Sequence, residues 1–199
     1  ADVGFLFGGG IRKKHVYKKG DAFTYSDASK ELPFGDKFSV IEASGEMLIE
    51  ALENGVSKMP ANYGSFPQLS DMTYDFNENQ PAGNRIIAGS VFIQGQPLDL
   101  NRKYKVATSN VIVEGRVGYD MFKKAKVLFP PSQDFLLVDI FADYMENNPS
   151  MKLASEEDNS PSTFSQESCR TLVPTCPVKL PFFAELKNDA ENFSPSPQI

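Results

Sequence analysis

The sequence predicts an α+β domain with a mixed β-sheet, two main helices and an extended C-terminal tail. Three observations carry this expectation. Short apolar or alternating runs recur between Val3 and Thr108 at lengths suited to strands. Two longer stretches, from Gly45 to Lys58 and from Ser132 to Asn147, repeat apolar residues at helical spacing. From Ser150 onward neither period survives, and Ser, Pro and acidic residues dominate. The expected division is a domain over residues 1–149 and a loosely ordered or partner-bound tail over 150–199, with one apolar island at Leu180-Pro181-Phe182-Phe183.

Val3-Gly4-Phe5-Leu6-Phe7 is an apolar run that stops at three glycines, which reads as a buried strand ending in a loop. Glycine lets a ligand or another chain approach the backbone, and Arg12 follows with a planar fork suited to an anion. A tight turn with a surface arginine explains the same residues. Residues 13–21 are polar and basic, and a solvated loop accounts for Lys13, Lys14, Lys18 and Lys19 more simply than an anion or membrane patch. Thr24 or Ser26 caps a short helix through Glu31, which ends before Pro33 because a residue preceding proline avoids the α region. Leu32 to Asp36 then turns, and Phe38 to Ala43 alternates as a strand.

Ser44 is the expected cap of the first long helix, with Glu46 in its first turn and Leu48, Leu52, Val56 and Met59 on the buried face. Tyr63 to Ser70 reads as a loop. Met72 to Phe76 and Arg85 to Ile93 read as strands around turn chemistry at Asn77 to Gly83. Gln94 to Pro97 is a turn, and Tyr104 to Thr108 a further strand. Asn110 to Gly118 is a loop and Tyr119 to Lys126 a helical segment with Met121 and Phe122 inward. Ser132 is placed as the cap of the second long helix, with a stripe of Leu136, Leu137, Ile140, Phe141, Tyr144 and Met145 ending at Asn147-Asn148-Pro149.

Composition narrows the function classes. The 199 residues are 41% hydrophobic, enough for a sizeable core. A formal charge of -6 leaves no chain-wide basic surface for nucleic acid. No apolar stretch reaches the length of a membrane span, and the opening strand-like run is unlike a signal peptide, although an excised piece would look the same. Cys169 and Cys176 either close a small loop in an oxidising compartment or are two free thiols. Asn192-Phe193-Ser194 is a glycosylation sequon, relevant to a secreted chain. The glycine run is neither a Walker loop nor a dinucleotide fingerprint. A di-metal hydrolytic site needs several His and carboxylate ligands, and the one histidine, His15, reads as a surface residue in a basic loop.

Six spaced segments point further: Gly8-Gly9-Gly10-Ile11-Arg12, Leu32-Pro33-Phe34-Gly35, Ser44-Gly45, Gly64-Ser65-Phe66-Pro67-Gln68, Pro81-Ala82-Gly83-Asn84-Arg85, and Tyr104 through Asn110. In order and spacing they resemble the C-terminal, substrate-binding domain of the 5'-nucleotidases, relatives of bacterial UDP-sugar hydrolase, over roughly residues 1 to 146. The resemblance implies a partner domain, N-terminal to this one, that carries a divalent metal pair and hydrolyses nucleotides, with no cofactor in this chain. It implies that Arg12 faces the substrate's anionic groups, that Phe34 stacks on the base, and that Gly10, Asp36 and Asn110 belong to the same substrate site. It implies an extracellular or periplasmic setting, while the chain itself leaves an intracellular assembly open.

Three positions depart from the family pattern. Phe7 stands where the family commonly has Asn, Val111 where it has a second stacking aromatic, and Val117 where it has an Asp on the ribose hydroxyls. Each charge-assisted bond is worth about 1.5–3 kcal/mol, so losing the Asp and one ring weakens nucleoside affinity by on the order of a thousandfold. Two readings result: the substrate domain of a nucleotide-hydrolysing phosphoesterase, or a degenerate domain of the same fold used for binding or assembly. Arg116, newly basic, is placed to read a different ligand.

Overall fold

The computed structural model describes residues 1–12, 17, 21–61 and 63–147. The expectations for His15 and most of the basic loop, for the end of the last helix at Asn148-Pro149, and for the tail with its two cysteines, sequon and apolar island lie outside these residues.

A mixed sheet of five strands runs through the centre. Its members are β1 (Val3–Phe7), β2 (Phe38–Ser44), β3 (Pro67–Ser70), β7 (Lys103–Ser109) and β8 (Lys126–Phe129), in the order β3-β1-β7-β2-β8. β1 and β7 are parallel, and the other neighbours antiparallel. Alternation along these strands separates two hydrophobic layers. Val3, Phe5, Ile41, Ala43, Tyr104 and Val106 face one side, where α2 (Gly45–Val56) contributes Leu48, Ala51, Leu52 and Val56. A small sheet, β4 (Met72–Thr73), β5 (Phe92–Ile93) and β6 (Gln96–Pro97), closes the same layer with Met72, Tyr74, Val91 and Ile93. Leu6, Phe38, Val40 and Ala107 face the other side, under α4 (Leu137–Asn147) with Leu137, Ile140, Phe141 and Tyr144. The short helix α1 (Tyr25–Glu31) joins α4 through the Tyr25 hydroxyl, which donates to Asp139 at 2.7 Å.

The helix starts follow from their caps. Thr24, not Ser26, caps α1 in a reciprocal box with Asp27. The Ser44 hydroxyl accepts from the Met47 amide at 3.3 Å at the start of α2. At the other end of α2 the Arg85 guanidinium donates to the Val56 carbonyl and, at 3.0 Å, to that of Met59, covering carbonyls that have no partner within the helix.

Several sequence expectations are corrected. Pro67–Ser70 is a strand, not a loop; it sits at the sheet edge, where proline is tolerated, pairing with β1. The strands expected over 72–76 and 85–93 shrink to Met72–Thr73 and Phe92–Ile93, with one further bridge between Phe76 and Ile86. Gln96–Pro97 is a strand rather than part of a turn, because Gln94 and Gly95 at positive φ complete the two-residue hairpin. The loop over 110–118 contains α3 (Asn110–Val113) and a 3-10 turn at Arg116–Gly118. The helix expected over 119–126 is a 3-10 turn, Asp120–Lys124, that buries Met121 and Phe122 and gives way to β8, which sequence reading missed. Ser132 does not cap α4. Its hydroxyl bonds within a turn to Asp134, and the helix begins at Leu137 after Lys37 and Leu136 form a bridge.

Candidate functional site

Strand direction gathers distant segments at one end of the sheet. β1 and β7 run parallel, so their C-terminal ends coincide, and the antiparallel β2 and β3 begin there. Glycines 8–10, the 34–37 loop, the 64–66 segment and the 110–118 segment therefore converge, although each is local in sequence.

The glycine run is a 3-10 turn. The Gly8 amide donates to the Phe66 carbonyl at 2.7 Å and the Gly9 amide to that of Gly64 at 2.8 Å. A side chain on Gly9 would stand 3.0 Å from the Gly64 Cα, so the two loops touch through bare backbone. Gly10 is buried, and a Cβ there would come within 3.3 Å of the Phe7 ring. Phe7 thus packs beside the glycine that the resemblance places in the site.

Arg12 follows on the surface. Its amide donates to the Glu31 carbonyl at 3.0 Å, tying the turn to the end of α1, and its Nη1 donates to the Gly9 carbonyl at 3.3 Å. The guanidinium carbon lies 5.6 Å from the centre of the Phe34 ring, within cation–π range. Phe34 is 58% exposed, a large aromatic kept in water beside a positive charge.

Asp36 and Asn110 flank Lys37, just downstream of Phe34. Asp36 is half-buried and its backbone carbonyl accepts from the Leu137 amide at 2.8 Å. Burial pushes its carboxyl above the usual carboxylate range; Arg116 opposes the rise and Glu114 adds to it. Arg116 pairs with Glu114 at 2.7 Å. Asn110 holds Lys37 from both sides: its Oδ1 accepts from the Lys37 amide at 2.8 Å and its own amide donates to the Lys37 carbonyl at 2.9 Å. Its Nδ2 donates to Glu114 at 3.1 Å. The structure thus brings Arg12 and Phe34 together, with Gly10 in the turn just before Arg12, and holds Asn110 on Lys37, the neighbour of Asp36. Sequence reading missed the part played by Glu114, which carries no periodic or motif signal and meets Asn110 and Arg116 only through the turn after α3.

Of the departing positions, Val111 is half-buried in α3. Val117 stands at φ 59° and ψ 26°, a left-handed conformation that costs a β-branched residue about 1–2 kcal/mol. Its carbonyl accepts from Asn54 of α2 at 3.2 Å, which holds the turn in place. Among the described residues no group of three or more His, Cys, Asp or Glu is placed to hold a metal ion. No helix among them is long and apolar enough to cross a membrane.

An α+β domain whose glycine turn, exposed aromatic and arginine meet at one sheet end defines a class that comparison with known proteins makes specific. The sequence model described as 5'-nucleotidase, C-terminal domain, matches residues 1–124. This chain belongs to that family. It is 33% identical over 128 residues to the trifunctional nucleotide phosphoesterase protein YfkN of Bacillus subtilis (strain 168), covering 63% of this chain and 8% of that protein. It is 29% identical over 146 residues to the 5'-nucleotidase of Diplobatis ommata, covering 70% of this chain and 25% of that protein. Among solved structures, a 5'-nucleotidase precursor from Thermus thermophilus superposes with a TM-score of 0.64 at 30% identity, over 73% of this chain and 28% of that one. The chain therefore spans about a quarter or less of these curated relatives.

Proposed function

We propose that this domain holds the nucleoside of a nucleotide while the phosphate ester is hydrolysed at a divalent metal pair on a separate N-terminal metallophosphoesterase domain. The binding domain is the unit expected over residues 1–149. Phe34 stacks on the base, Arg12 meets the anionic groups, and Gly10, packed against the Phe7 ring, shapes the turn that presents Arg12. Asp36 and Asn110 complete the site. The supporting observation is the meeting of Arg12 and Phe34, 5.6 Å apart, with the ring 58% exposed. A flat heteroaromatic carrying an anion is the ligand such a pair suits, because the base covers the ring and the guanidinium takes the charge. This chain's described residues do not fit a metal pair, so no hydrolytic step is assigned to them.

Calorimetric titration with adenosine tests the reading. Micromolar affinity that Phe34→Ala abolishes supports it, and the isolated chain supplied with divalent metal is expected to release no phosphate from AMP. A second reading is a domain that has kept the fold and lost the ligand, serving an assembly. The left-handed backbone at Val117 favours it: the turn persists while the carboxylate that the family carries there is absent. A folded chain that takes up no adenosine at millimolar concentration selects this second reading.

A further inference from the structure

We propose that Asn110 is a positioning residue that sets the Phe34 ring by clamping Lys37, and that it does not itself touch the ligand. The proposal rests on the nucleoside-binding reading and reassigns one residue within it. An asparagine side chain offers one carbonyl oxygen and two N–H donors. In Asn110 the oxygen takes the Lys37 amide at 2.8 Å and the nitrogen gives a hydrogen to Glu114 at 3.1 Å. The Asn110 backbone amide adds a third bond, to the Lys37 carbonyl, at 2.9 Å. Both polar groups of the Lys37 backbone are thus held by one residue.

The place of this clamp gives it its effect. The β2–β7 ladder ends at the pair Phe38–Ser109, and Asn110 adds one more rung made partly by a side chain. On its far side Lys37 bridges to Leu136, and the Asp36 carbonyl accepts from Leu137, so the downstream end of the loop is pinned between β7 and the start of α4. The upstream end is pinned where the Leu32 amide closes α1 on Ala28 at 2.9 Å. Between the pins lie Pro33, Phe34 and Gly35, and Gly35 sits at φ 62° with nothing within 4 Å of where a side chain would be. The ring is 58% exposed with the Arg12 guanidinium 5.6 Å from its centre, so the two pins on the chain bear most on its orientation. Loss of the Asn110 side chain leaves the Lys37 amide without its 2.8 Å acceptor while the main-chain bond to the Lys37 carbonyl stays, and this loosening at Gly35 lets the ring turn away from Arg12.

The test combines ligand affinity with local exchange in the full chain. Adenosine affinity by calorimetry is expected to fall about tenfold in Asn110→Ala, the size of effect that loss of one clamping network produces. Asn110→Asp combined with Glu114→Gln keeps the acceptor for Lys37 and restores the contact to residue 114 with donor and acceptor exchanged, avoiding two facing carboxylates, and is expected to bind within about twofold of the native chain. In a Phe34→Leu background, Asn110→Ala is expected to add no further loss. Hydrogen exchange at the Lys37 amide should accelerate in Asn110→Ala and stay protected in the Asn110→Asp, Glu114→Gln variant. Asn110→Ser, whose hydroxyl is too short to reach Lys37, replaces the alanine variant if that chain does not fold. An Asn110→Asp, Glu114→Gln variant as weak as the alanine one, or a loss that persists without the Phe34 ring, means that Asn110 touches the ligand and overturns the proposal. If the native chain binds no nucleoside, the functional reading fails by itself, while unchanged Lys37 exchange in Asn110→Ala separately overturns the clamp.

Discussion

Replacing Arg12 by alanine should act differently on charged and neutral ligands. In the free protein the guanidinium sits 5.6 Å from the Phe34 ring and bonds weakly, at 3.3 Å, to the Gly9 carbonyl. A phosphate that meets this arginine gains a charge-assisted bond of about 1.5–3 kcal/mol, the lower end applying to an exposed side chain. Arg12→Ala should therefore weaken AMP by about tenfold. Adenosine has no phosphate to lose. Its base competes with the guanidinium for the ring face, an exposed cation–π contact worth about 0.5–1 kcal/mol. Adenosine affinity is expected to stay level or to improve up to about fivefold. The backbone bond from Arg12 to Glu31 survives the substitution, so the loop keeps its anchor. The assay is parallel titration of both ligands, repeated at high salt, where the native preference for AMP should shrink through screening. Equal weakening of AMP and adenosine would refute the assignment of Arg12 to the anion.

Three further outcomes follow from packing and charge. Gly45→Ala should destabilise the domain by about 2–3 kcal/mol despite alanine's better helix propensity, because a Cβ there would stand 2.7 Å from the Leu100 Cα and push α2 off the Arg102 and Leu100 carbonyls that its first amides use; a urea midpoint at or above the native one would count against this. Arg85→Ala should cost about 2–3 kcal/mol in the same assay by removing the bonds to the Met59 and Gln80 carbonyls and one of the two that the Val56 carbonyl accepts, the other coming from the Met59 amide at 3.2 Å, and Arg85→Lys should recover only part of that, since an ammonium lacks the fork. Asp36 has a folded pKa above its unfolded one, so its contribution favours the fold below the unfolded value of 3.8 and is lost as pH rises through the folded pKa. Asp36→Asn should accordingly stabilise at pH 7, with the difference vanishing below about pH 3.8; a difference that does not change with pH would show that the carboxyl is not the cause.

Much of the framework is local physics and is readable as such. The Thr24 and Ser44 caps, the stripe of Leu48, Leu52 and Val56, and the strands β1, β2 and β7 all show in composition and period, because each depends on neighbours within a turn or a pleat. β3 and β8 do not. Both are edge strands, one opening on a proline and the other mostly exposed, and an edge strand is defined by its partner rather than by its own alternation. Ser132 carries the residue type of a cap, yet the bridge from Lys37 to Leu136 delays α4 to Leu137.

The same division holds at the site. The sequence by itself determined the family and singled out Gly10, Arg12, Phe34, Asp36 and Asn110 as its candidates, because motif order survives without a structure. Only the tertiary structure decided how they stand to one another. Parallel β1 and β7 with antiparallel β2 bring three separate loops to one end of the sheet. There Arg12 lies over Phe34, Glu114 joins the cluster, and the amide of Asn110 is spent on Lys37. Such contacts join residues far apart in the chain, and no local period encodes them, since they exist only once strand order and direction are set.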